Sequence, residues 1–320
     1  MPADERCLAC GCTQVRTLFS GTDRLYRTTR KAFLVVECRQ CRLLRLYPSP
    51  APAELRTYYP ETYWYAPSAG SDQADEFAEA YRRFVLRDHI AFARRALKDS
   101  GEPGPILDVG CGGGLFLRMM RPEGRPVMGL DFSLDAGSVA WRTNHVPVVC
   151  SSLASAPFPD SSFALVTMYH VLEHLSNPAS YLEEAHRLLK PGGRLIVQVP
   201  NAACWQFLLF GELWSGLDVP RHLVNFKAKD LDALLDRCGF EVLRHKYFSL
   251  RDNPAGLATT LIPSLDPMAR RIRGAKEKPG WKLAKDLIYF GLVLACVPFT
   301  LLEAACAAGS TVMVEARKKQ

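Results

Sequence analysis

Four cysteines stand in two close pairs, Cys7-x2-Cys10 and Cys38-x2-Cys41. Each pair turns two thiolates toward one point, the spacing of a tetrahedral zinc site, and four thiolates leave no open position, so the role is structural. Cys12 is an alternative ligand. A second polar set is His170, Glu173 and His174 in "HVLEH", with Arg221 and His222 in "PRHL". Histidine exchanges protons near neutral pH, so His170, His174 and His222 are candidate general bases, with Glu173 beside them. Glu173 and His174 would equally serve as caps or structural hydrogen-bonding groups. The Arg221 fork matches a carboxylate or phosphate on a substrate, or caps the following helix. Trp214, with Trp205 and Phe207, lines an apolar pocket or belongs to the core.

Between these sets runs "LDVGCGGGLF", with Asp108, Gly110, Cys111, Gly112, Gly113 and Gly114 after a short apolar run. Bare backbone at a strand-to-helix turn lets a ligand lie against the main chain, and the helix start favours an anionic group. The spacing is G-x-G-x-G, not the G-x-G-x-x-G of a dinucleotide site. The next apolar run ends at Asp131 and Phe132 in "GLDFS". A carboxylate there has two oxygens to accept both hydroxyls of a ribose.

The elements that position these residues follow from periodicity. Residues 1–50 read as short strands and turns, with "AFLVVECRQC" the best strand. "YPSPAP" marks a boundary. Residues 51–103 read as a helical linker or lid, through "LRTYYPETYWY" and a long amphipathic stretch with Phe77, Tyr81, Phe84, Val85, Ile90, Phe92 and Leu97 on one face and Gly101 as its cap. From Gly104, apolar runs and helical patterns alternate: "PILDVGC", "PVMGLDFS", "VPVVCSS", "FALVTMY" and "RLIVQVPN", with "PASYLEEAHRLLKPGG" a helix before the last. Repeated β-α units on short loops imply an α/β fold with a parallel sheet covered on both faces. "FEVLRHKYFSL" and "STVMVEARK" are later strands.

Together "ILDVGCGGG", "GLDFS", "APFPDSSFALV", "HVLEHL" and "LLKPGGRLIVQVPN" resemble the motifs of class I S-adenosylmethionine-dependent methyltransferases of the bacterial type 11/12 kind, over roughly residues 104–200. The resemblance implies a Rossmann-like seven-stranded sheet, parallel except for the last strand, over 104–320. It implies S-adenosylmethionine as cofactor, with Asp108, Gly110, Cys111, Gly112 and Gly114 around its methionine and ribose and Asp131 and Phe132 on the ribose side. Ser152 and Leu153 would lie beside adenine, and Tyr169 would be a further cofactor-binding residue; relatives of the ubiquinone O-methyltransferase kind hold a divalent metal on the segment that follows, which His170, Glu173 and His174 would do here with one acid fewer. Ser152 stands where the family usually has an acid, and Ala164 where it usually has an aspartate. "CLACG…VVECRQCRLLRLYPSP…YYPETYW" resembles an N-terminal module on bacterial methyltransferases of glycan and natural-product pathways. A zinc ribbon also precedes a family of ribosomal RNA guanine methyltransferases. The reading is methyl transfer to oxygen or carbon of a small-molecule, sugar or lipid-linked acceptor. RNA methylation and a non-catalytic cofactor-binding scaffold are the alternatives, with nucleic acid less favoured.

The chain carries 40 Lys and Arg against 33 Asp and Glu, a net charge of +7, compatible with an anionic partner but diagnostic of none. "MPADERCLAC" has no apolar core of a signal peptide, and 11 cysteines without one read as reduced thiols in the cytoplasm. Sixteen residues, Leu287 to Leu302, lack charge, short of the roughly 20 needed to cross a bilayer. In the family, the strands before and after this stretch pair in one sheet, so a single crossing would part them. The expectation is a helical insertion over about 251–309 that lids the acceptor site. Its basic flank (Arg270, Arg271, Arg273, Lys276, Lys278, Lys282 and Lys285) makes peripheral contact with an anionic membrane face an alternative to simple packing on the sheet.

Overall fold

Ile106, Leu107, Asp108 and Val109 are all buried, with no alternation along the run. That is the pattern of a strand covered on both faces of a parallel sheet. The structure, a computed structural model, describes residues 6–60 and 73–319, without the side chains of 73–78. The helix expected through 61–65 and the side chain of Phe77 lie outside the described residues.

The chain runs β1 (Val15–Gly21), β2 (Phe33–Cys38), β3 (Leu44–Tyr47), α1 (Pro52–Arg56), α2 (Gln73–Val85), α3 (Arg87–Ser100), β4 (Ile106–Val109), α4 (Leu115–Met120), β5 (Val127–Asp131), α5 (Leu134–Asn144) and β6 (Val148–Cys150). It continues through β7 (Phe163–Tyr169), α6 (Pro178–Leu188), β8 (Leu189–Pro200), α7 (Trp205–Phe210), β9 (Val224–Asn225), α8 (Ala228–Arg237), β10 (Phe240–Lys246), α9 (Asn253–Leu261), α10 (Pro267–Ile272), α11 (Pro279–Ala305) and β11 (Thr311–Lys318).

Seven strands form one sheet in the order β10-β11-β8-β7-β4-β5-β6. Every pairing is parallel except those of β11, which runs antiparallel to both β8 and β10. From β4 the chain moves outward to β5 and β6, then returns to lay β7 on the other side of β4. The crevice at the carboxyl ends of β4 and β7 is therefore the switch point at which doubly wound sheets bind ligands. One face of the sheet packs on α3 through Ile90, Ala93, Ala96 and Leu97. The other packs on α6 and α8 through Leu182, Ala185, Leu188, Leu231 and Leu235. Fully burying a leucine contributes roughly 1.5–3 kcal/mol, so these contacts set the positions of the strand ends.

The helix expected over "PASYLEEAHRLLKPGG" ends at Leu188, and β8 begins at Leu189. Pro191 cannot continue a helix, and Gly192 takes φ +79°.

The second sheet, β1-β2-β3-β9, is antiparallel. Its last strand comes from far along the chain: Leu44 and Arg45 of β3 pair with Asn225 and Val224. Phe33, Val35, Leu44 and Leu46 share one core with Leu172, Leu223 and Val224. The cysteine segment is thus closed by residues from beyond position 200. Between β10 and β11 the chain inserts α9, α10 and α11.

Candidate functional site

The glycine turn sits at the carboxyl end of β4. Gly110, Gly112 and Gly114 take φ +72°, +50° and +75°, a region other residues enter only with strain. A Cβ at Gly110 would lie 2.8 Å from Val171, whereas one at Gly112 would point into open space. The Gly112 backbone is therefore a cradle open to a ligand. Asp131, at the end of β5, accepts from Gly112 N–H on Oδ2 and from Ser133 N–H on Oδ1, both at 2.9 Å. These bonds fix its carboxylate against the loop, and burial raises its pKa. Behind it Asp108 is fully enclosed and accepts from Thr167 Oγ1 at 2.6 Å. Burial raises its pKa to about 7, with Asp131 adding to the effect.

Around this turn Phe132 is exposed, and Ser152 is exposed with its Oγ donating to Ser155 Oγ at 2.9 Å. The Cys111 and Leu153 side chains are buried in the two core clusters, which leaves only their backbone to face a ligand. Tyr169 lies between Phe116 and His89, each ring 5.0 Å away, and its buried hydroxyl has no hydrogen-bond partner among the described residues. An open glycine cradle, a fixed carboxylate at the end of the neighbouring strand and an orphaned hydroxyl fit a nucleoside cofactor bearing an amino-acid tail.

The polar set gathers where β7 ends. His170 takes φ +57°, uncommon for a non-glycine residue, and its N–H donates to the Gln198 carbonyl at 2.9 Å. Its Nδ1 lies 3.0 Å from Glu173 Oε1 and its Nε2 3.5 Å from Asp252 Oδ2. The Gln198 amide bridges His170 Nε2 at 2.9 Å and Asp252 Oδ2 at 2.7 Å. His89 follows, 3.8 Å from Asp252 and 2.8 Å from Asp88. Burial disfavours a charged His170, but the Asp252 carboxylate and then Glu173 outweigh it and raise the pKa to about 9.

His174 and His222 form a separate pair with ring centroids 4.7 Å apart. His174 Nδ1 lies 3.1 Å from the Arg221 carbonyl and 2.9 Å from the Tyr59 hydroxyl. His222 Nδ1 lies 2.8 Å from the Gly216 carbonyl. A carbonyl only accepts, so both rings carry their proton on Nδ1, leaving Nε2 with its lone pair. Burial and then His222 lower the His174 pKa to about 4. Glu173 Oε2 is buried without a hydrogen-bond partner among the described residues. Donor atoms of Glu173, His174 and His222 lie within 4.8 Å of one another and could hold a metal ion. The trio differs from the His170, Glu173 and His174 set that the resemblance implies: His170 turns to Glu173 and Asp252, and His222 stands in its place.

Arg221 also needs correction. It is wholly buried, with Nη2 2.9 Å from Asp23 and 2.7 Å from Asp218, Nη1 donating to the Tyr58 carbonyl, and its face over Tyr26. The fork expected to meet a substrate instead fastens the N-terminal sheet to the loop before β9. Trp214 is buried against Phe207 and so is core rather than pocket wall.

Cys7, Cys10, Cys38 and Cys41 converge, with Sγ–Sγ distances of 3.4 Å for Cys7–Cys41 and 3.5 Å for Cys10–Cys38. Four Zn–S bonds of ~2.3 Å would set sulfurs about 3.8 Å apart, so the cluster could hold a tetrahedral ion. Cys12 turns away to the Gln14 carbonyl.

Asp252, Gln198, His89 and Tyr59 were not singled out from the sequence. Gln198 had a signal, as a polar residue inside "RLIVQVPN"; Asp252 had only "DNP" at a helix start.

A doubly wound sheet with a glycine turn and a buried acid beside it at the switch point has the architecture of an α/β domain of the methyltransferase class. Residues 78–245 match the family model described as a methyltransferase domain, and the chain belongs to that family. A "Probable S-adenosylmethionine-dependent methyltransferase" of Mycolicibacterium smegmatis is 32% identical over 162 residues, 49% of this chain and 58% of that protein. A "Ubiquinone biosynthesis O-methyltransferase" of Glaesserella parasuis is 29% identical over 134 residues, 38% of this chain and 57% of that protein. The chain thus spans well under two thirds of these relatives' lengths. A solved structure named "putative sarcosine dimethylglycine methyltransferase", from Galdieria sulphuraria, is alike in fold at TM-score 0.50 and 15% identity, over 83% of this chain and 98% of that one.

Proposed function

We propose that this protein transfers a methyl group from S-adenosylmethionine to an oxygen or carbon of a small-molecule or lipid-linked acceptor. The observation that carries the reading is the open Gly112 cradle facing the fixed Asp131 carboxylate at the switch point. When bound, the cofactor supplies an already activated methyl group. Gly110, Gly112 and Gly114 hold its tail, Asp131 accepts its ribose hydroxyls, and the Tyr169 hydroxyl gains a partner.

His170 is then the base for the acceptor. Its Nδ1–H donates to Glu173, which fixes the tautomer, and Nε2 exchanges the Gln198 amide for the incoming nucleophile, whose proton it receives while that amide keeps its bond to Asp252. Asp252 stabilises the imidazolium so formed. The cysteine cluster is read as a structural zinc site, with no part in the transfer. The relative named for ubiquinone biosynthesis supports an oxygen acceptor on a small molecule.

The test is incubation with methyl-labelled cofactor and fractionated cell extract, with mass spectrometry of the labelled product. A labelled small molecule is the expected result. Cofactor binding without any labelled product would leave a scaffold, and label confined to RNA would move the acceptor class.

A further inference from the structure

Helix α11 is arranged inside out. From Asp286 onward its inward face carries its polar groups: Glu303 and Thr300 are fully buried, with Glu303 accepting from Gln206 Nε2 at 2.8 Å. Tyr289 meets Thr259 at 2.9 Å, and Asp286 pairs with Arg270. Its outward face is apolar: Leu283, Leu287, Ile288, Leu294, Leu301 and Leu302 are each about half exposed or more. The only acid between Leu287 and Cys306 is the buried Glu303. A helix on a soluble surface puts these faces the other way round. Contiguous apolar patches on soluble monomers rarely exceed a few hundred Å². Trp205 of α7 meets Phe299 at 6.3 Å, so exposed Leu208 and Leu209 stand beside the same helix.

The flank supplies the second observation. Lys276, Lys278 and Lys282 are exposed at the start of α11, with Trp281 68% exposed among them. An aromatic among lysines beside an apolar face is the composition of an interfacial helix. By length and hydropathy, 27 residues at 2.0, α11 could cross a bilayer. Yet β10 and β11, on either side of the insertion, pair in one sheet, which keeps both of its ends on one side.

We propose that α11 lies flat on an anionic bilayer, its Leu287–Leu294–Leu301 face among the acyl chains and its lysines among the headgroups. A second copy of the chain fits less well. An antiparallel pairing would set each lysine cluster against residues 298–306, which expose no acid, and a parallel one would set lysines against lysines. Asp252 opens the insertion and contacts His170, so a helix on the bilayer holds the site near lipid-borne molecules. The docking stands apart from the transfer chemistry: flotation needs no cofactor, and cofactor binding needs no vesicle, so the two readings fail separately.

The experiment is flotation of the full chain with phosphatidylcholine vesicles, with and without phosphatidylglycerol, whose anionic headgroups attract lysines near the surface. Wild type is expected to float with the anionic vesicles. The exposed-face variant Leu287→Glu/Leu294→Glu is expected to stay behind with unchanged circular dichroism. Lys276→Glu/Lys278→Glu/Lys282→Glu is expected to bind at least tenfold more weakly. Wild type that ignores anionic vesicles overturns the proposal. So does a wild-type dimer that Leu294→Glu dissolves while no vesicle binding is seen, which would make the face a contact between copies.

Discussion

Asp252, which opens the insertion, sets its Oδ2 3.5 Å from Nε2 of His170 at the end of β7. The apolar insertion is thereby joined to the polar centre by a charge pair rather than only by packing. The protonation of His170 depends on a residue of the insertion.

The pH dependence follows. A base must be neutral to accept a proton, and His170 has its pKa raised to about 9 by Asp252 and Glu173 against burial. The transfer rate at saturating substrates should rise about tenfold per pH unit above 7 and level off near 9. Asp252→Asn removes the main raising charge and should move that limb to lower pH. The pH profile of the two proteins checks this; identical limbs would exclude His170 as the group being titrated. For stability the sign is reversed. A raised histidine pKa contributes stability fully present below about 6.5 and lost as pH rises through about 9.

Gly112 and Gly110 should respond differently to a side chain. Gly112→Ala fills open space, at a strain of roughly 1–2 kcal/mol for its positive φ, and should weaken cofactor binding sharply with only a modest fall in Tm. Gly110→Val must displace Val171 and should lower Tm markedly. Calorimetric titration with the cofactor and thermal melts separate the two.

Asp131→Ala should weaken cofactor binding by ~10- to 100-fold, the scale of losing charge-assisted hydrogen bonds to two hydroxyls. The same titration measures it. Wild-type affinity in the variant would mean that the ribose lies elsewhere.

Arg221→Leu should destabilise the fold by about 3–5 kcal/mol, because Asp23 and Asp218 are left buried and unpaired. Transfer per folded molecule should hardly change. Burial works against an ionised Asp23, but Arg221 holds its pKa at about 2. Its contribution is therefore present above about pH 4 and fades as pH falls through about 2. Urea melts at pH 7 and pH 3 should show the wild-type advantage shrinking in acid.

The cysteine cluster should carry one zinc per chain by elemental analysis. Cys38→Ser should release it and lower Tm. A wild-type protein that is metal-free yet equally stable after metal-free refolding would remove the structural zinc.

Much of the fold was legible because it is local. Strand runs, glycine turn and Asp131 lie close together in sequence, and alternating units dictate the sheet. The role of Arg221 was not legible, since a guanidinium reads alike whether it meets a substrate or Asp23, nearly two hundred residues away. β9 was invisible because two residues carry no period. Asp252 was hidden by its neighbours: it precedes a long apolar segment, and nothing local ties it to "HVLEH". The metal-capable trio was half legible, with Glu173 and His174 adjacent and His222 brought in by the loop that Arg221 fastens.

The two-residue strand β9 has a further consequence for engineering. It is the seam between the cysteine-bearing segment and the sheet domain, and it lies just past His222. Cutting the chain after residue 50 would not trim an accessory. It would bare the edge of Val224 and Asn225, strip Arg221 of Asp23, and loosen the loop that carries His222 toward Glu173. The first fifty residues and the last hundred are one mechanical part, and a shortened or swapped version must keep both or replace both.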